Sequence, residues 1–144
     1  MDLKLMQYNI LGGFYTSNEP YEHEQEREKL AIEEIKFQDP DILTICESRF
    51  ANPNRYNILI DYKKLFGFEF CYVASYKEKS ERAIFSKYPF DIKDYAYGLN
   101  PLLRAKFKIN NVEFVLDLVH QHPSLKEYEK EKFMDHIISE ININ

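Results

Sequence analysis

Two apolar runs in the first third of the chain each end on a side chain that can do chemistry. Asn9 closes Leu3-Lys4-Leu5-Met6-Gln7-Tyr8-Asn9-Ile10, and Glu47 closes Asp41-Ile42-Leu43-Thr44-Ile45-Cys46-Glu47. Both runs read as strands, and a helix-like segment lies between them. Strands joined by a helix pair in parallel through a right-handed crossover, so their carboxyl ends reach the same edge of one sheet. That edge is where open α/β sheets bind ligands. An amide beside a carboxylate there suits a hard divalent cation and a phosphate, so the pair implies metal-assisted phosphate chemistry. The plainer alternative has Glu47 emerging into solvent to pair with Arg49, and Asn9 serving the turn that Gly12-Gly13 continues.

Further along, His120-Gln121-His122 follows a strand-like run. A zinc site would need a third nearby ligand, which Pro123-Ser124-Leu125 does not offer. A single imidazole, His120, acting as general acid or base fits better, because its reference pKa of about 6.5 suits proton transfer near neutrality. A solvent-exposed histidine at a strand end is the competing reading. Arg104, among Leu102, Leu103 and Ala105, could fork onto a phosphate. It shares a face with Lys106 and Lys108, and a solvated basic sheet face is the ordinary reading of such alternation. Tyr76 to Arg82 reads as a charge-rich loop, and within it Glu81 matters only if it orients His120. The sequence contains no Walker A loop, no dinucleotide glycine fingerprint and no nucleophile elbow.

The elements that must position these residues follow from periodicity and punctuation. An acidic run, Glu22 to Glu28, opens a helix that continues through Leu30, Ile32 and Ile35 and stops near Phe37. Asp39-Pro40-Asp41 then turns into the second strand, because a residue before proline is pushed out of the helical region. A second helix is expected from Asn54 to Phe66, with Gly67 as its stop. Five β-like runs follow: Phe68 to Ala74, Arg82 to Ser86, Ile92 to Tyr97, Leu102 to Ile109 and Val112 to Val119. Asn110-Asn111 joins the last two as a tight hairpin. Ser124 with Glu127 makes a capping box for a final helix. The order β-α-β-α-β-β-β-β-β-α describes a single α/β unit over residues 1–144.

A chain of 144 residues, 44% hydrophobic, suffices for one core. A net charge of -5 argues against a broad nucleic-acid-gripping surface. Cys46 and Cys71 show no metal spacing and read as buried free thiols of a reducing compartment. With no secretory leader or membrane-length apolar stretch, a cytoplasmic protein is expected.

Taken in order, Leu5-Met6-Gln7-Tyr8-Asn9-Ile10, Asp39-Pro40-Asp41-Ile42-Leu43-Thr44-Ile45-Cys46-Glu47, Ala83-Ile84-Phe85-Ser86-Lys87-Tyr88-Pro89 and Phe114 to His120 resemble the endonuclease/exonuclease/phosphatase superfamily. The usual Gln before the Glu is replaced by Cys46, and the usual Thr before the His by Val119. The resemblance implies the deoxyribonuclease I-like fold: a mixed β-sheet with flanking helices, half of a layered α/β sandwich. It implies a hydrolase, most directly a nuclease, in which water attacks a phosphodiester in line with the help of Mg²⁺ or Mn²⁺. Asn9 and Glu47 would hold metal and phosphate, and His120 would assist proton transfer. Glu47-Ser48-Arg49, Lys79-Ser80-Glu81-Arg82 and Leu103-Arg104-Ala105 are similar to the deoxyribonuclease I branch. By that similarity Arg49 and Arg104 are phosphate contacts, and Glu81 partners His120.

Members of the superfamily also carry a Gly-Asp-x-Asn motif and a terminal Asp-His pair, borne on a second sheet that packs on the first. This sequence has no Gly-Asp-x-Asn motif, and no second-sheet segment that ends in such an Asp-His pair is expected from it. The expectation is therefore an incomplete domain, inactive alone, whose first sheet leaves one apolar face uncovered. A complementing second half, or self-association of a non-catalytic module that retains the fold, would cover it.

Overall fold

The computed structural model describes residues 2–10, 13–14, 22–47, 62–76, 79–97 and 100–119, together with Glu131 and Asp135. Strand β1 (Leu5–Asn9) leads to helix α1 (Gln25–Gln38) and then to β2 (Ile42–Cys46). The crossover predicts a parallel pair, and β1 and β2 pair in parallel, with Leu5 opposite Ile42 and Asn9 opposite Cys46. Helix α1 begins with Glu26 and Glu28 in its first turn, where acidic side chains meet the positive end of the helix dipole. It ends where Asp39 turns left-handed and its N–H caps the Ile35 carbonyl at 2.9 Å.

Residues 62–66 are helical, and Gly67 ends the segment at a positive φ of 83°, as glycine readily does. The rest of the expected second helix, from Asn54, lies outside the described residues. So does nearly all of the carboxyl-terminal one, of which Glu131 and Asp135 are helical.

The remaining strands are β3 (Phe70–Tyr76), β4 (Lys79–Ser86), β5 (Phe90–Tyr97), β6 (Asn100–Ile109) and β7 (Val112–Val119). They divide between two sheets, one ordered β1-β2-β4-β3 and the other β5-β6-β7. The charged run Tyr76 to Arg82, expected as a loop, instead ends β3 and begins β4. Ser75 pairs with Ser80 and Tyr76 with Lys79 beyond a bulge at Ala74 and Ser75. Backbone pairing across the two strands outweighs the loop-like polarity of the sequence here. Asn110 and Asn111 take positive φ values of 50° and 64° and form the tight turn between β6 and β7.

Each face of the first sheet is buried by a different partner. On one side Ala31 and Ile35 of α1, with Tyr62, Phe66 and Phe68, pack on Leu43, Ile45, Ala83 and Phe85. Phe85 is the hub, with Phe66 edge-on at 5.2 Å between ring centroids. On the other side Ile42, Cys46, Ala74 and Ile84 meet Leu103, Ala105, Phe107 and Leu118 of the second sheet. The expectation of a bare apolar face is thereby corrected. Strands β5 to β7 turn away after Lys87-Tyr88-Pro89 and stack on it, since burying that face removes apolar surface from water. All five residues of β2 are buried, as a strand between two packed layers must be.

Cys46 is buried, Cys71 is half-buried, and both are free thiols. Burial raises the Cys71 thiol above its ordinary pKa. No described helix is long and apolar enough to cross a membrane.

Opposite the ends of β1 and β2, where the two strands start, lies a cluster of charges. The Lys4 N–H donates to Asp41 Oδ2 at 2.9 Å, and the Asp41 N–H donates back to the Lys4 carbonyl at 2.8 Å. Lys87 Nζ lies 2.9 Å from Asp39 Oδ1 and 3.5 Å from Asp41 Oδ1, while its N–H donates to the Asp41 carbonyl at 3.0 Å.

Candidate functional site

At the carboxyl edge of the parallel pair, Asn9 and Glu47 meet. The Asn9 Nδ2 donates to Glu47 Oε1 at 3.0 Å. Beneath that contact the Ile10 N–H donates to the Cys46 carbonyl at 3.2 Å, which continues the β1–β2 ladder one step past its last pair. The bond joins the peptide after Asn9 to the peptide before Glu47, so it fixes the two site residues against each other. Glu47 itself turns left-handed, with φ of 55°. A side chain other than glycine is disfavoured there by roughly 1–2 kcal/mol, so its surroundings must impose the conformation.

Neighbouring side chains define the rest of this edge. Gln7 Nε2 approaches Cys46 Sγ at 4.0 Å. Arg82 stands across the β2–β4 ladder from Cys46 and is 1% exposed. It shares this burial with only one other charged residue among those described, Arg104. Glu81 precedes Arg82 on β4, so its backbone lies one step beyond the Cys46–Arg82 pair, level with the point where β2 gives way to Glu47. The structure thus brings Asn9, Glu47 and the Glu81 position to one edge. His120 follows directly on β7, but it and Arg49 lie outside the described residues.

Arg104 is placed on the second sheet. The alternating basic pattern suggests three solvated cations, yet Arg104 is 2% exposed while Lys106 and Lys108 are exposed. Its Nε and Nη2 donate to Asp117 Oδ1 and Oδ2 at 2.7 and 2.8 Å, a bidentate pairing that offsets the penalty of burying the guanidinium. Asp117 is a partner the sequence reading missed, although a signal existed. A two-residue turn at Asn110-Asn111 sets residues equidistant from it opposite each other, and Arg104 and Asp117 are such a pair.

Among the described residues no three His, Cys, Asp or Glu side chains converge as a metal cage. Asn9 and Glu47 are a smaller donor set, an amide oxygen and a carboxylate, both hard ligands. That set fits Mg²⁺, which keeps most of its waters and is held by one or two carboxylates plus substrate phosphate. It does not fit zinc, which takes four ligands, nitrogen or sulfur among them.

A mixed α/β chain with a helix layer, a parallel-plus-antiparallel sheet and a second sheet stacked on it has a partial deoxyribonuclease I-like fold. The solved structures it resembles include TDP2 from C. elegans, at 21% identity and a TM-score of 0.65, covering 99% of this chain and 44% of that one. Truncated Caenorhabditis elegans TDP2 is similar over 81% of this chain and 49% of that one, at 22% identity and a TM-score of 0.54. The chain therefore spans less than half the length of the structures it matches. No protein-family model matches the sequence, and no curated protein does.

Proposed function

We propose that this chain carries part of the site of a Mg²⁺- or Mn²⁺-dependent phosphodiesterase, most directly one acting on nucleic acid. The single observation that carries the reading is the 3.0 Å bond from Asn9 Nδ2 to Glu47 Oε1 at a ligand-binding sheet edge. The similarity in fold to TDP2 supports it. In this reading Glu47 and Asn9 hold the divalent ion, and the bond from Asn9 fixes the carboxylate's rotamer without cancelling its charge. When bound, the ion would supply Lewis-acid stabilisation of the phosphate oxygens. His120 accepts the proton of the attacking water, and Glu81 orients its imidazole. Arg49 and Arg104 bear on the phosphate, Arg104 with one edge of its fork held by Asp117. The remaining catalytic groups come from a complementing second half, and the setting is the reducing cytoplasm.

Titration with Mn²⁺, followed by paramagnetic resonance, tests the core of this proposal. Wild type binds and Glu47→Ala does not; identical curves for the two would refute it. A second reading, a non-catalytic assembly module that retains the fold, draws on Leu5, which is 55% exposed on edge strand β1. Sedimentation as a monomer across a concentration series would remove it.

A further inference from the structure

Arg27 has no part in the proposed chemistry, yet it is bonded to the backbone that carries Asn9. From the first turns of α1 its Nη1 donates to the Ile10 carbonyl at 2.8 Å, and its Nη2 lies 2.5 Å from Glu24 Oε2. The guanidinium carbon stands 5.8 Å from the centroid of the Phe14 ring, within cation–π range. Phe14 is 1% exposed and packs on Tyr62, so the guanidinium rests on a fixed surface.

The consequence lies in what Ile10 joins. Its N–H is tied to the Cys46 carbonyl, and its own carbonyl is tied to Arg27, so the peptides on both sides of Ile10 are held. Among the described strands β1 is the edge of its sheet and pairs with β2 alone. Its end would otherwise fray, as unsupported strand ends do. Across from it Glu47 keeps a left-handed backbone that must be held by its surroundings. We propose that Arg27 is a positioning residue: by gripping the Ile10 carbonyl from the helix layer, it sets Asn9 where its amide meets Glu47. The proposal rests on reading Asn9 and Glu47 as the metal-holding pair.

The test uses Arg27→Met and Arg27→Lys in the full chain, with three readouts. These are the side-chain amide resonance of Asn9, assigned by its loss in Asn9→Ala, the Mn²⁺ affinity and the thermal midpoint. Arg27→Met is expected to move the Asn9 amide toward the position of a solvated amide and to weaken Mn²⁺ binding about ten-fold. Arg27→Lys, which keeps a charged donor, falls between. Ile35→Val destabilises the helix–sheet core elsewhere and should leave the Asn9 amide in place.

An unmoved Asn9 resonance in both Arg27 variants overturns the proposal, as does an equal movement in Ile35→Val. Should Arg27→Met fail to fold, Arg27→Lys alone decides by the same resonance. If Glu47→Ala binds Mn²⁺ as wild type does while the Asn9 amide still responds to Arg27, the positioning role stands and the metal reading falls.

Discussion

The two ends of the β1–β2 pair use polar residues in opposite ways. Where the strands begin, Asp39 and Asp41 meet Lys87 directly, and Asp41 also accepts the Lys4 N–H. Charges there are answered by opposite charges and backbone donors, and the arrangement locks the strand starts together. Where the strands end, a neutral amide is set against a carboxylate, and the carboxylate sits on a left-handed backbone. An amide orients a carboxylate without neutralising it. The first edge is built from ion pairs that tie the strand starts together, whereas the second sets an amide against a carboxylate, the two hard donors the proposed site uses. The sequence block Asp39-Pro40-Asp41-Ile42 through Glu47 spans both edges, so its ends serve different purposes although they belong to one motif.

The sharpest way to break this contrast is to truncate one carboxylate at each edge. Asp41→Ala removes the acceptor of the Lys4 N–H and one partner of Lys87 from a half-buried position, and should lower stability by about 2 kcal/mol. Its Mn²⁺ binding should match wild type. Glu47→Ala should do the reverse, abolishing binding with little change in unfolding free energy. Chemical denaturation beside metal titration separates the two, and a shared loss of both properties in either variant would erase the distinction between the edges.

A smaller effect sharpens it. Glu47→Gly should be more stable than Glu47→Ala by about 1 kcal/mol, because glycine adopts the left-handed conformation without steric penalty and alanine does not. Equal stabilities would mean that the backbone at position 47 relaxes once the side chain is gone, and that Asn9 holds the strain in place.

Much of this was legible before any coordinates. The meeting of Asn9 and Glu47 follows from two apolar runs with a helix between them, since parallel pairing brings strand ends together whatever the loops do. The Asn110-Asn111 turn was equally plain, and with it the Arg104–Asp117 pairing could have been counted off.

Other features leave no local trace. Nothing in the length or alternation of β5, β6 and β7 says that they leave the first sheet and stack on it; that partition is decided by which faces need covering. The charged start of β4 disguises a strand because its polar sequence reads as a loop, while the pairing that makes it a strand is supplied by β3. Glu47's left-handed turn carries no glycine to announce it. Arg27 reaches Ile10 across the space between helix and sheet, a contact set by packing and invisible to any short window of sequence.

The smallest predicted effect concerns pH at the strand starts. The hydrogen bond from Lys87, followed by its charge, holds the Asp39 carboxyl below its ordinary pKa of 3.8. The same bond to Asp39 raises Lys87 above its ordinary 10.5 against a smaller opposing effect of burial. A lowered carboxylate contributes stability that is complete above its unfolded pKa and disappears as pH falls through the folded one, in the region below 3.8. A raised lysine contributes stability that is complete below its unfolded pKa and disappears as pH rises through the folded one, above 10.5. The stability difference between wild type and Asp39→Asn should therefore be flat through the neutral range, shrink in acid below pH 4 and shrink again in strong base. Asp39 is exposed, so added salt should reduce the plateau by screening the pair. Denaturant midpoints of the two proteins across pH measure this directly. A difference that changed instead between pH 5 and 9 would place the coupling on other groups, and the Asp39–Lys87 pair would no longer account for the polar design of the strand starts.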